Sequence, residues 1–263
     1  MNRLLAAAAL FGLGLSGANA AMVARTIDYA VDGATMQSVL VYDDAVKTPR
    51  PGLVMAPDWM GMNANQIALA KQIAGEDYVI LVTDMYGTAV RPKNADEAGK
   101  AAGNLYKHRD ELRARVKAAL AQLRGQRGKA PLDGKHWGAI GFCFGGAVAL
   151  DLARTGADIA GTATFHGSLK TGDPGLARNI KGMVLAMNGG DDSYTPEADI
   201  VGFEKEMRDA GVDWQFVNYG GAVHCFAIPS DTGPSEGCQY NAKVAHRAFA
   251  LMHAFFDEAF AKP

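Results

Sequence analysis

Short, uninterrupted apolar runs separated by stretches of helical periodicity restrict this chain more than any other feature of its sequence. Leu53-Val54-Met55-Ala56 and Val79-Ile80-Leu81-Val82 show no polar alternation, which is the pattern of strands buried on both faces of a parallel sheet. Trp137 to Phe142, Ile159 to Phe165, Met183 to Met187 and Trp214 to Tyr219 continue the series. Between them, Asn65 to Ala74, Arg109 to Leu123, Gly145 to Arg154, Glu197 to Ala210 and Asn241 to Phe260 read as helices. Ahead of these, Thr26 to Tyr42 reads as a hairpin turning at Asp32-Gly33. Strands alternating with helices predict an α/β protein with a mostly parallel, doubly wound, twisted central sheet and helices on both faces.

Charge and cysteine content narrow the setting. With 26 Lys+Arg against 28 Asp+Glu in 263 residues, there is no electrostatic footprint for a polyanion, and nucleic acid is not expected as a partner. At the N-terminus, Arg3 precedes an apolar run from Leu4 to Leu15, and Ser16-Gly17-Ala18-Asn19-Ala20 places small residues at −3 and −1 of a cleavage site after Ala20. This reads as a signal peptide over residues 1–20, followed by one domain over 21–263, periplasmic or secreted. The run is short for a membrane span and no basic stop-transfer segment follows, so no stable anchor is expected after cleavage. Of the three cysteines, at least one must stay unpaired within the chain. Cys225 and Cys238 flank a Pro/Gly/Ser-rich loop whose ends a disulfide would tie, although spacing alone does not decide whether the pair meets. The oligomeric state is not readable.

In a doubly wound sheet, ligands bind at the carboxyl ends of the strands. The strand Trp137 to Phe142 ends in Gly141-Phe142-Cys143-Phe144-Gly145-Gly146 and runs directly into a helix. That is the strand-turn-helix context of a nucleophile elbow, with Cys143 in the nucleophile position and glycines where side chains would collide. The start of a helix favours a thiolate, and the N–H of Phe144 can donate to an oxyanion. A buried structural cysteine would fit the same six residues. What raises the functional reading is that later strand ends supply Asp191-Asp192 and then His224, giving the chain order nucleophile, acid, histidine.

These segments resemble the dienelactone hydrolase family of α/β-hydrolases over nearly all of residues 21–263. Gly141-Phe142-Cys143-Phe144-Gly145-Gly146 looks like the family's G-x-C-x-G-G, Gly189-Gly190-Asp191-Asp192 like its G-x-x-D, and His224-Cys225-Phe226 like its H-x-F. The resemblance implies an α/β-hydrolase fold and selects Asp192 over Asp191 as the acid. It also implies that Asp58, after the first parallel strand, contacts the thiol, and that the Trp59 N–H is a second oxyanion donor. Asp84-Met85-Tyr86-Gly87 looks like the family's D-x-Y-G, a structural turn. His166 sits where relatives carry F-H-G and is a possible pocket residue, although a packed histidine is the plainer reading. The chain departs from the family where arginines hold a substrate carboxylate: one such position is Ile228, a further possible pocket residue, and the other aligns loosely with Ala102. Selection for an anionic lactone should weaken accordingly.

The expectation is therefore an exported hydrolase of esters, lactones or thioesters using Cys143, His224 and Asp192 through an acyl-enzyme, without metal or organic cofactor. The rival is a non-hydrolytic exported binding protein on the same fold. Thiol redox chemistry is disfavoured because there is no C-x-x-C. His108, His136, His246 and His253 show neither metal-ligand spacing nor obvious partners and are expected to be surface or core residues.

Overall fold

The computed structural model describes residues 22–229 and 237–262. The leader reading falls on residues outside that set, as does most of the segment between Cys225 and Cys238. The first two strands, β1 (Met22–Val31) and β2 (Ala34–Asp43), form an antiparallel hairpin. It turns at Asp32 and Gly33, whose φ values of 49° and 82° are those of a turn that matches strand twist. The hairpin is longer at both ends than periodicity suggests.

The parallel strands follow: β3 (Arg50–Ala56), β4 (Val79–Val82), β5 (Leu132–Phe142), β6 (Gly161–Phe165), β7 (Met183–Gly189) and β8 (Trp214–Tyr219). The eight strands form one sheet in the order β1-β2-β4-β3-β5-β6-β7-β8, parallel from β4 to β8. The chain thus begins building at β3 and reverses direction across the sheet beside it, so the loops leaving β3 and β5 open at neighbouring strand ends.

Both faces of the sheet are covered. Helices α1 (Ala64–Ala74) and α6 (Ala242–Ala261) pack on one face against Leu53, Met55, Ile80, Ile140 and Phe142. On the other, α2 (Ala95–Lys107), α3 (Arg109–Arg124) and α4 (Phe144–Arg154) cover Val54, Leu81 and Ala139, while α5 (Glu197–Ala210) closes over Val184 and Ala186. Alternate residues of each strand enter opposite cores, which is why these strands read as unbroken apolar runs. Beneath α4, the fully buried Arg154 makes a two-pronged contact with Glu206 of α5 at 2.8 Å for each prong, and Asp151 bonds Arg154, Arg109 and Arg113. This ion network fastens α4 to its neighbours.

α2 is not among the helices that periodicity picks out. Its sequence is poor in large apolar residues and holds Gly99 and Gly103, but Asn94 and Glu97 form a reciprocal cap: each side chain bonds the other, and Asn94 accepts from the Glu97 N–H. A short 3-10 helix at Pro174–Asn179 was likewise unexpected.

Candidate active site

Cys143 stands between β5 and α4 with φ of 53°, a backbone conformation that side-chain-bearing residues rarely adopt. The surrounding glycines make this possible. A Cβ on Gly145 would sit 2.0 Å from the Ala56 carbonyl oxygen, and one on Gly141 would sit 2.0 Å from that of Gly145. The turn is pinned by the Cys143 N–H donating to the Phe165 carbonyl at 3.0 Å and the Gly146 N–H donating to the Cys143 carbonyl at 2.9 Å. Phe144, as the first residue of α4, keeps an N–H with no intrahelical acceptor.

The acid and the histidine meet the thiol from two other loops. Asp192 follows β7 and His224 follows β8, and the Asp192 Oδ2 lies 2.7 Å from the His224 Nδ1. The other Asp192 oxygen accepts from the Tyr194 N–H at 2.8 Å, so the carboxylate is fixed at both ends. Asp191 points to solvent and shows only a backbone bond, to the Ala222 carbonyl. His224 is buried and also hydrogen-bonded to the Cys143 side chain. Burial works against a charge on this imidazole, but the hydrogen bonds with Asp192 and Cys143 outweigh it and push it up from 6.5 to about 10. The arrangement favours an imidazolium beside the Cys143 sulfur.

Cys225 and Cys238 are joined, with sulfurs 2.01 Å apart. Next to that link, the His224 N–H donates to the Gly237 carbonyl and its carbonyl accepts from Gln239, so His224 sits in a short bridge of backbone bonds closed by the disulfide. Cys143 is the free thiol.

Asp58 is buried at the end of β3. One of its carboxylate oxygens accepts from the Met60 N–H at 2.8 Å and the other from the Gln66 side-chain amide at 2.7 Å. Gln66, on α1, is a supporting residue that no motif announces, because only the fold brings it back onto Asp58. Tyr86 of the Asp84-to-Gly87 turn reaches further than a structural turn: its hydroxyl donates to the Trp59 carbonyl at 2.8 Å and its ring stacks on Phe144. Asp84 itself holds the turn, accepting from the Tyr86 and Gly87 N–H groups and pairing with Arg91.

A cavity of about 550 Å³ opens over Cys143, walled by Asp58, Trp59, Tyr106, Tyr194, His224 and Ile228 among others. Among the described residues no lysine or arginine lines it, and Ala102 and Ile228 stand on its wall. His166 does not line the cavity, which corrects its assignment as a pocket residue. It lies fully buried behind His224, ring centroids 4.8 Å apart and edge to face, with Phe226 and Phe142 around it. Burial and the neighbouring His224 push it well below its ordinary 6.5, so it is neutral. Three of the four remote histidines do have partners, contrary to expectation: His108 Nδ1 bonds the Asn104 carbonyl at 2.9 Å, His136 bonds Asp133 at 2.7 Å, and His253 stacks on Tyr78. Among the described residues, no cluster of three or more His, Cys, Asp or Glu could hold a metal.

The sequence profile of the dienelactone hydrolase family matches residues 36–260. The chain belongs to the dienelactone hydrolase family. Among solved structures, this family member is similar to P91, a dienelactone hydrolase-like promiscuous phosphotriesterase from metagenomic libraries, at 34% identity and a TM-score of 0.84, with 91% of this chain and 99% of that one covered. The structure named m3DLH is similar at 32% identity and a TM-score of 0.83, covering 90% and 98%. An uncharacterized protein of Caenorhabditis elegans is 33% identical over 156 residues, 57% of this chain and 96% of that protein. As a dienelactone hydrolase family member on the α/β-hydrolase fold, the chain is a lactone/ester hydrolase acting on small molecules.

Proposed function

We propose that this hydrolase is exported and cleaves uncharged esters, lactones or thioesters through a Cys143–His224–Asp192 triad and an acyl-enzyme. The observation that carries the reading is the 2.7 Å contact between Asp192 and His224 on the far side of an imidazole bonded to an elbow-held Cys143, with Cys143 and His224 facing one cavity and Asp192 buried behind them. Asp192 holds the Nδ1–H, so Nε2 faces the sulfur and takes its proton. The thiolate attacks the acyl carbonyl carbon, the C=O electron pair moves to oxygen, and the N–H groups of Phe144 and Trp59 receive that oxyanion. The tetrahedral adduct collapses, the bond to the leaving oxygen or sulfur breaks, and His224 Nε2 returns its proton to that atom. Water then attacks the thioester, giving its proton to His224, and the acid leaves as the Cys143 thiol is restored. Asp58, held by Gln66 and the Met60 N–H, fixes the loop that presents Trp59 and places a carboxylate on the cavity wall near the sulfur.

A thiolate is a good leaving group as well as a good nucleophile, so activated esters, enol lactones and thioesters suit this site better than amides. Among the described residues no lysine or arginine stands on the cavity wall, so nothing there offers a guanidinium or ammonium clamp, which supports uncharged substrates. Export is supported by the leader-like N-terminus and by the disulfide, a bond that persists in oxidising compartments.

The test is turnover of p-nitrophenyl acetate and a small panel of lactones, with dienelactone and a neutral phosphotriester included, by residues 21–263 and by Cys143→Ala. Wild-type turnover that Cys143→Ala lacks, with a mass increase of one acyl group trapped on a slow ester, is the expected result. Turnover surviving in Cys143→Ala sinks the triad. A folded wild type inert to the whole panel moves the reading to a binding protein. For export, N-terminal sequencing of protein from a periplasmic extract should begin at Ala21, and an intact Met1 there contradicts cleavage.

A further inference from the structure

The cavity has two unlike sides, and the direction of proton transfer says which part of the substrate lies on each. In the proposed reaction, His224 must reach the leaving atom, while the carbonyl oxygen must face the N–H groups of Phe144 and Trp59. The leaving group therefore lies on the His224 side. The acyl group takes the side walled by α2, where Gly99, Ala102 and Gly103 present almost no side chain; a Cβ on Gly103 would meet nothing within 4 Å.

On the His224 side stands Tyr194. Its ring is 5.1 Å from that of His224, edge to face, yet the residue is 63% exposed. The backbone that carries this ring is fixed. Its N–H is fixed to Asp192 and the following Thr195 is buried with its N–H bonded to the Asp192 carbonyl. Behind it, Gly237, at φ of +81°, lies so close that a Cβ there would be 3.4 Å from the Tyr194 ring. An aromatic face, with His224 and Gly237 as neighbours and much of its surface exposed, therefore borders the place where the leaving atom must sit. Among the described cavity-lining residues on this side, no charged group other than His224 offers an alternative contact.

Resting on the hydrolase reading above, we infer that Tyr194 is a specificity-determining residue: a platform on which a planar aromatic leaving group stacks, so that the preferred substrates are uncharged esters of phenol-like alcohols. Ring-on-ring contact adds a small preference over a non-aromatic group of equal size, and loss of the ring should cost roughly 3- to 10-fold in discrimination.

The experiment compares two acetates whose alcohols have similar acidity but differ in the ring, phenyl acetate and hexafluoroisopropyl acetate. The readout is the ratio of their kcat/KM values, which cancels any general loss of activity. Tyr194→Ala and Tyr194→Leu should lower the ratio about 3- to 10-fold, chiefly through KM for phenyl acetate, and Tyr194→Phe should restore it. A ratio unchanged within about twofold in both ring-less variants overturns the platform, even if both rates fall, because Tyr194 would then only position His224. Calorimetric titration of the same two esters into Cys143→Ala, with and without Tyr194→Leu, gives a reading that needs no turnover. If the wild type hydrolyses neither ester but the affinity ratio falls, the hydrolase reading fails and the platform stands. If the affinity ratio is unmoved, the platform fails whatever the enzyme does.

Discussion

Two imidazoles in edge-to-face contact, His166 and His224, are perturbed in opposite directions, and their signs bound the pH range in which the protein is most stable. His166 is held neutral below its ordinary 6.5. Under pH 6.5 the unfolded chain takes a proton there that the folded chain refuses, so stability falls as pH drops toward the depressed folded value. His224 is held charged, so its contribution is complete below 6.5 and is lost as pH rises toward about 10. Each limb can reach about 1.4 kcal/mol per pH unit. Urea unfolding between pH 5 and 10 should show both limbs; His166→Phe should flatten the acid one and Asp192→Asn the alkaline one. Acid and alkaline slopes that survive these substitutions would assign the effect elsewhere. The roles of these two residues were unequally legible. His224 follows from chain order and from H-x-F, whereas the place of His166 depends on which way the backbone turns after β6, at φ of 40°, and nothing in F-H-G reveals that.

At the scale of elements, α4 carries the nucleophile, and its position depends on groups far from the chemistry. Arg154 is fully buried and joined to Glu206 and Asp151. Arg154→Ala leaves buried Glu206 without its cation, while Asp151 keeps Arg109 and Arg113, and should cost about 3–5 kcal/mol, measured by chemical denaturation; Arg154→Met, which refills the space but not the charge, should cost a similar amount unless Glu206 is replaced by an apolar residue as well. A loss under about 1 kcal/mol for Arg154→Ala would show that the network does not hold the helix. The strands and α4 were readable because burial on both faces leaves an unbroken apolar signature. α2 was not: its buried stripe, Ala98, Ala102 and Leu105, is mostly alanine because small residues face the cavity, so it stands out little from its surroundings, and the Asn94–Glu97 cap marks its start. Two glycines inside a helix cost about 1 kcal/mol each relative to alanine, which is a stability loss accepted where space is needed. Gln66 escaped notice for a related reason, since a polar residue on a helix carries no periodicity of its own.

Across the whole molecule, the site is assembled from strand ends spread over most of the sheet, and a single covalent link outside the sheet completes it. Replacing both Cys225 and Cys238 by serine should lower unfolding free energy by about 2–4 kcal/mol and slow turnover, since the bridge around His224 loses its closure. Activity that is unaffected in folded double mutant would show that the backbone bonds at Gly237 and Gln239 suffice. The same cavity wall that lacks lysine and arginine also shapes how a catalytic cycle ends. Ester hydrolysis converts an uncharged substrate into a carboxylate at neutral pH, and among the described residues of the cavity that anion finds no lysine or arginine clamp, only His224, which Asp192 already pairs, and it has Asp58 on the same wall. Product should depart readily: added acetate or butyrate at tens of times the substrate concentration should leave the rate within about 20% of its uninhibited value, and strong competitive inhibition would contradict it. A cavity that takes up its substrate by fit and offers its product no guanidinium or ammonium clamp clears itself after each turnover.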